Sequence, residues 1–428
     1  MPTPADWIPF EWPSAWKDAS LLKLLEPGPL NCLLLPPEAP AELRAAAEKR
    51  FECPAGIVWR KAGEMNWREP GAVIAIGDAV WPDLAQRSRE NAGGLEAGPT
   101  GAPWLDANGW LIQMAHSRGG GRPVWVRSEP PEDAARLPVN AYLLGLHEAC
   151  AYGAQRPVWL APELAAGVAS GSAAALGVWE KILAAARWQA SRRVENAWAP
   201  FARLLVISDF TGPNEYNACE VLNLAARRGL AFRIAEPGRF RPEQLGGMRA
   251  VLYVDAQPMA APLAAALQGF AERGGLVLAM KGPAEAFRNL KPAGETHARF
   301  ELFQCGKGRV AVSRKEWDDQ YLLAQDAHLL MSRRYDAVRL FNAGSLLSYH
   351  TAEPGGGRWL VHLLNYTRTA AAHQVSLQTW APVKGVRIYA AGEPGRAVEI
   401  HRETGRAEVY LPRIELYAAV ELEIASHA

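Results

Sequence analysis

The hydrophobic period of this chain changes twice, and that constrains its fold more than any other feature. Residues 1–200 read as strand–helix units, residues 201–330 as a compact β-α-β layer, and residues 331–428 as short strands and turns. A helix buries a stripe every 3.6 residues and a half-buried strand buries every second residue, so one packed layer keeps one pattern. Two changes over 428 residues predict three domains, 1–200, 201–330 and 331–428, each large enough to bury its own core.

The first region holds 13 of the 16 tryptophans. Short apolar runs recur at 31–35, 56–59, 72–76, 110–114, 123–126 and 157–160, each bounded by Gly, Pro or Asn. That is the pattern of buried parallel strands. Helical stretches fall at 41–50, 140–152 and 176–188, and the Gly-rich segment 91–103 reads as a long loop. Alternating strand and helix predicts a β/α barrel, and about six strands rather than eight make it a partial one.

The second region repeats one unit. A strand at 204–208 ends at Asp209, a helix follows over 215–228, and Gly229 caps it before the next strand at 231–234. A strand at 250–254 ends at Asp255, a helix covers 262–273, and Gly274-Gly275 turns into the strand 276–280. Two successive β-α-β crossovers predict a doubly wound, flavodoxin-like sheet. The tail alternates with period two over six short runs between 358 and 424, which predicts a small antiparallel β-sandwich.

Composition excludes several roles. The formal net charge is +1 with no block of like charges, which argues against phosphate-neutralising nucleic-acid or membrane-surface binding. Five cysteines (Cys32, Cys53, Cys150, Cys219 and Cys305) lie far apart without a C-x-x-C, so buried free thiols are expected rather than disulfides or zinc. No H-E-x-x-H or G-x-S-x-G appears, and neither a G-x-G-x-x-G nor a Walker loop follows a strand, so no metal and no cofactor is expected. The N-terminus has no basic segment followed by an apolar one. A soluble, cytoplasmic chain is expected, although a secreted protein with its signal peptide trimmed reads the same way.

Several phrases together resemble a known family. Leu204–Asp209 with Thr211-Gly-Pro-Asn-Glu215, then Phe270-Ala-Glu-Arg-Gly-Gly-Leu276, is similar to the amidotransferase-like middle domain of family 42 glycoside hydrolases, the bacterial β-galactosidases. Trp359-Leu-Val-His-Leu-Leu-Asn-Tyr366 and the segment 409–420 resemble their C-terminal β-domain, and 123–129 and 142–153 resemble parts of their catalytic barrel. The resemblance implies a carbohydrate partner, a glycosidase scaffold and, by analogy, a homo-oligomer. The departures are equally plain. The single Asn-Glu pair of this style, Asn214-Glu215, lies in the middle region rather than the barrel. No cysteine follows the strand 276–280, so amidotransfer is not expected.

Retaining glycosidases need two carboxyl groups flanking the glycosidic oxygen, and barrels carry such groups at the carboxyl ends of their strands. Glu129 ends the run 123–128, and the resemblance places a family nucleophile near it. Asp106 and Glu11 are the acid or sugar-positioning candidates, each flanked by tryptophans. Trp104, Asn108, Trp110, Trp12 and Trp125 are the candidate sugar contacts, because aromatic faces stack on sugar C–H surfaces and amides bind hydroxyls. Each residue has a plainer alternative: Asp106 as a cap, Glu129 as a solvated loop carboxylate, Glu11 as part of a packed N-terminal arm. Asp78, at the end of the run 72–77, and the loop residues Asp209, Asn214 and Glu215 are further strand-end positions. His147-Glu148, on a helix, is expected to be a structural polar contact. The expected function is glycosidic hydrolysis or, with no complete acid/nucleophile pair visible, a non-catalytic binding or assembly role on a degenerate glycosidase scaffold.

Overall fold

Short parallel pairings organise the first 200 residues. The computed structural model describes residues 3–84, 105–129, 137–344, 346–403 and 405–425. Strand β1 (Pro9–Glu11) pairs in parallel with β2 (Cys32–Leu34), and α1 (Ala41–Glu48) follows. Strand β3 (Ile74–Ala79) leads to a small antiparallel pair, β4 (Asp83–Leu84) with β5 (Leu105–Asp106). After helix α2 (Gly109–Arg118), strand β6 (Val124–Ser128) pairs in parallel with β3. Single parallel bridges join these ladders: Phe10 to Val158, Cys32 to Glu52, Arg60 to Ile76 and Trp125 to Gln155. The ladders are thus linked bridge by bridge and form no continuous barrel sheet among the described residues.

Period-two alternation divides the side chains of these strands. Cys32, Val73, Ala75 and Trp125 gather with Trp7 in one small core, against which Leu34, Ile57 and Trp59 pack. Their sequence neighbours Leu33, Ile74, Ile76, Val124 and Val126 point the other way into the helical layers. Those layers are α2, α3 (Val139–Ala151), α4 (Pro162–Ala169), α5 (Ala173–Ser191) and the single turn α6 (Arg193–Asn196).

Residues 110–114, expected as a strand, are the first turns of α2. Leu111, Ile112, Met114 and Ala115 are its buried residues, a helical spacing that a five-residue window cannot distinguish from a strand. The segment 91–103 lies outside the described residues.

A second sheet follows the short strand β7 (Ala199–Pro200). Its elements are β8 (Leu204–Ile207), α7 (Pro213–Arg227), β9 (Phe232–Ala235), β10 (Ala250–Tyr253), α8 (Ala261–Glu272), β11 (Leu276–Ala279), the turn α9 (Lys281–Ala284), β12 (Lys291–Pro292), β13 (Phe300–Cys305), β14 (Gly308–Ser313) and α10 (Gln320–Met331). The parallel order is β9-β8-β10-β11-β14, with β13 and β12 added antiparallel at the edge. Every residue of β8, β10 and β11 is buried, because helices cover both faces of the sheet. The chain leaves β8 for β9 on one side and returns to β10 on the other, so the topological switch lies between β8 and β10.

The remaining strands are β15 (Arg339–Phe341), β16 (Leu346–Ala352), β17 (Arg358–Asn365), β18 (Ser376–Thr379), β19 (Val383–Ala390), β20 (Arg396–Ala397), β21 (His401–Glu403), β22 (Arg406–Tyr410) and β23 (Tyr417–Ile424). They form two antiparallel sheets, β15-β18-β22-β21 and β20-β19-β23-β17-β16-β7. Val361, Leu363, Ile388 and Val420 of one sheet share a core with Leu377 and Val409 of the other. The outer face of the six-stranded sheet packs on the first region. Tyr349 lies 4.1 Å from Tyr152, and His147 stacks on Tyr417 at 5.0 Å and 10°.

Candidate functional site

Glu11 is the last residue of β1, so alternation turns it away from the buried Phe10 and toward the side occupied by Trp7. The same alternation on β6 carries Arg127 to the side of Trp125. The two meet at 3.7 Å beside a cavity of about 520 Å³, which Trp12, Leu34, Ile57 and Trp59 also line. That volume suits a small organic ligand.

An aromatic column forms beneath it. Trp7 meets Trp125 edge-on at 6.0 Å, Trp125 lies 6.4 Å from Trp59, and the Arg127 guanidinium sits 5.1 Å over the Trp59 ring. Burial pushes the Glu11 carboxyl above its ordinary range, opposed by Arg127 and then Arg156. Its Oε1 is buried without a hydrogen-bond partner.

A second polar layer supports the first. Arg156 is buried, lies 4.3 Å over the Trp81 ring and donates to Ser128 Oγ at 2.5 Å. Burial lowers its pKa to about 10, opposed by Glu148 and Glu11, so it remains a cation at neutral pH. Glu148 is buried on α3. Its carboxylate accepts from the Asn108 backbone at 2.8 Å, from Asn108 Nδ2 at 2.6 Å and from the Tyr366 hydroxyl at 2.7 Å. Burial raises its pKa, opposed by Tyr366 and Asn108.

The remaining sequence candidates are dispersed. Glu129 is exposed just past β6, where its backbone carbonyl accepts from the Trp81 indole at 2.8 Å. Asp106 is half-buried on β5 opposite Asp83, which forms an ion pair with Arg368. Neither lines the cavity beside Glu11.

Asn108 is buried, and its side chain also bonds to both the N–H and the carbonyl of Val80, at 2.8 and 2.9 Å. Trp12 is buried behind Glu11 and donates to the Trp16 carbonyl at 2.7 Å. Trp125 is fully buried in the aromatic column. Trp110 is half-buried on α2 beside a different cleft, and Trp104 lies outside the described residues.

Sequence reasoning passed over Trp59 and Arg127. Arg127 stands two residues after Trp125 in a run of alternating strand residues, and that spacing is the signal that could have found it.

No family model matches the sequence, and no curated protein does. Several solved structures are similar to it to different degrees. An α-L-fucosidase isoenzyme 2 from Paenibacillus thiaminolyticus is 13% identical with a TM-score of 0.53, over 74% of this chain and 62% of that one. A β-galactosidase from Bacillus circulans sp. alkalophilus is 9% identical with a TM-score of 0.49, over 74% and 57%. An exo-carrageenase GH42 from Bacteroides ovatus is 11% identical with a TM-score of 0.42, over 83% and 48%.

The likeness to the fucosidase shows a shared fold. At these identities the likeness concerns the fold alone, and the chain spans about three-fifths of the fucosidase. Among the described residues, no group of three or more His, Cys, Asp or Glu side chains is placed to hold a metal ion. None of their helices is long and apolar enough to cross a membrane.

Proposed function

We propose that the chain binds carbohydrate on a reduced β/α-barrel version of the glycosidase scaffold, with the sugar seated in the cavity beside Glu11. The two parallel ladders β1-β2 and β3-β6, with the single parallel bridges at residues 52, 60, 155 and 158, support this reading without forming a continuous barrel sheet. Glu11 stands at the carboxyl end of its strand, where barrel proteins gather their ligand-binding groups. Arg127 and the Trp59 ring supply a charged donor and a stacking surface in the same hollow. The observation that carries the reading is the half-buried Glu11 side chain, which lines a cavity of about 520 Å³ with its Oε2 3.7 Å from Arg127.

Glu11→Gln should weaken sugar binding by about 10-fold or more, the worth of one charge-assisted hydrogen bond. Trp59→Ala should weaken it as well. Titration calorimetry against a panel of mono- and disaccharides tests both, and binding unchanged in the two variants would remove the cavity from consideration.

Hydrolysis is the second reading, favoured by the raised Glu11 carboxyl, a property of a general acid. In it Glu129 and Asp106 are the candidate second carboxylates, and each would have to approach a cavity that neither of them lines. Turnover of aryl glycosides that survives Glu129→Gln eliminates Glu129, and no turnover on any aryl glycoside leaves binding as the function. Assembly into a homo-oligomer, proposed by analogy with the scaffold, is measured by light scattering.

A further inference from the structure

Three arginines meet at the amino end of the parallel sheet, and none is paired with a described carboxylate. Arg203 and Arg249 stand just before β8 and β10. The first residues of those strands, Leu204 and Ala250, pair, and the Arg249 N–H donates to the Arg203 carbonyl at 2.7 Å. Arg233 lies on β9 opposite Leu205, two residues beyond Arg203. Residues two apart on a strand, and residues opposite one another on neighbouring strands, share a face of the sheet. The pairing brings the three side chains to one end of one face, where Arg249 and Arg233 act on Arg203 as like charges.

The protein does little to neutralise them. Burial pushes the Arg203 guanidinium below its ordinary pKa, and Arg249 and then Arg233 push it further. Arg203 Nη1 donates to the Gly247 carbonyl at 2.8 Å, and Arg233 Nε donates to the Pro200 carbonyl at 3.1 Å. The Arg203 and Arg249 guanidinium groups each lie 4.8 Å from a ring, Phe201 and Tyr335 respectively. Carbonyls and rings carry no net charge. Arg203 and Arg233 are also half-buried, and a cation withdrawn from water without a counter-ion is costly. An anion brought to this end of the sheet relieves that cost.

A cleft of about 460 Å³ opens at Arg233, between β9, β7 and the end of α2. It shares no lining residue with the Glu11 cavity. Pro200, whose carbonyl holds Arg233 Nε, lines it as well, which puts the guanidinium at its wall. Arg233 is the one charged group among the described lining residues, because burial lowers the His116 pKa and keeps that ring neutral. Trp198, Phe232 and Tyr349 give the cleft flat apolar walls, and Gln113 and Gln244 add neutral polar groups. The volume suits a small organic ligand.

We propose that this cleft binds a phosphate monoester with a planar apolar body, its phosphate on Arg233 and its ring against Trp198 or Tyr349. A guanidinium fork takes two phosphate oxygens at once. Arg203 and Arg249 add to the field behind it, so a dianion is favoured over a carboxylate.

Titration calorimetry of the full chain with phenyl phosphate, benzoate, phenol and inorganic phosphate, at mildly alkaline pH where the phosphate is doubly charged, tests this. Phenyl phosphate should bind at least about tenfold more tightly than any of the other three. Its affinity should fall as salt rises. Arg233→Gln should weaken it about tenfold or more, and Arg203→Gln and Arg249→Gln about two- to fivefold through the field. Arg396→Gln, on the distant strand β20, should leave it unchanged.

Arg249 is exposed and its side chain donates no hydrogen bond among the described residues, so its variant tests the charge without disturbing the fold. A purely structural role predicts a lower Tm for ligand-free Arg249→Gln. The proposal predicts a Tm equal to or above the parent's, because one of three repelling cations is gone. No binding of phenyl phosphate, equal affinity for benzoate or inorganic phosphate, or unchanged affinity in Arg233→Gln overturns the proposal. A lowered Tm with unchanged affinity in Arg249→Gln overturns it as well.

Discussion

Glu148 shows how much one buried side chain can hold. It satisfies the backbone and amide of Asn108 from one loop and the hydroxyl of Tyr366 from 218 residues away. Tyr366→Phe removes one of these bonds and should cost about 1–3 kcal/mol, read as a fall in the urea midpoint at unchanged slope. Glu148→Leu should cost more, about 3–5 kcal/mol, because it removes the acceptor of the Asn108 backbone N–H and of the Tyr366 hydroxyl and takes from the buried Arg156 the larger of its two anionic neighbours. If the leucine variant proves as stable as the parent, the network contributes nothing. The sequence identified His147-Glu148 as a structural polar contact from its helical setting. Its partner Tyr366 was illegible, because no local pattern joins two residues so far apart. The site was legible to the same extent: Glu11 stood out between tryptophans, whereas its meeting with Arg127 and Trp59 depends on three separate segments coming together.

Elements were legible where one period ran long enough. The strand at 204–208, the helix over 140–152 and the long runs of the tail have counterparts in β8, α3, β17 and β23, because burial on known faces imposes an unmistakable spacing. Short runs misled: α2 read as a strand, and β1, β15 and β16 were passed over. Tertiary packing decides such segments. Gly109 opens α2 directly against Tyr152, so a methyl group there would stand 2.1 Å from the ring. Gly109→Ala should therefore destabilise by about 1–3 kcal/mol through overpacking, despite alanine's better helix propensity. Thermal unfolding followed by circular dichroism reads this directly, and a rise in Tm would mean that Tyr152 moves aside freely.

Protonation links the parts of the whole molecule. Burial holds His147 and His350 at about 4 and His362 at about 3, each neutral between its neighbours. The unfolded chain, with histidines near 6.5, binds more protons throughout the interval below that value, so stability falls as pH drops from about 6.5 toward 4. Each group contributes on the order of 3 kcal/mol by pH 4. Asp255 works in the opposite sense. Burial raises it to about 6, against the bonds from Ser208 and the Asp209 N–H, so its folded form gains protons first and is favoured as pH falls from 6 to 3.8. Glu11 and Glu148, also raised by burial, act with Asp255, but the unfolded chain's histidines take up protons first, and the melting temperature should decline just below pH 6.5. A flat profile between pH 6.5 and 4.5 would contradict the buried, neutral histidines. His362 of β17 bonds to the Tyr417 hydroxyl, and His147 of α3 stacks on that Tyr417 ring across the seam. That seam also carries the Tyr366–Glu148 bond and the Arg368–Asp83 ion pair. A clone stopping near residue 330 would forfeit the Tyr366 hydroxyl and the Arg368 guanidinium together with the sheet behind them, and should be recovered as aggregate rather than as a folded fragment.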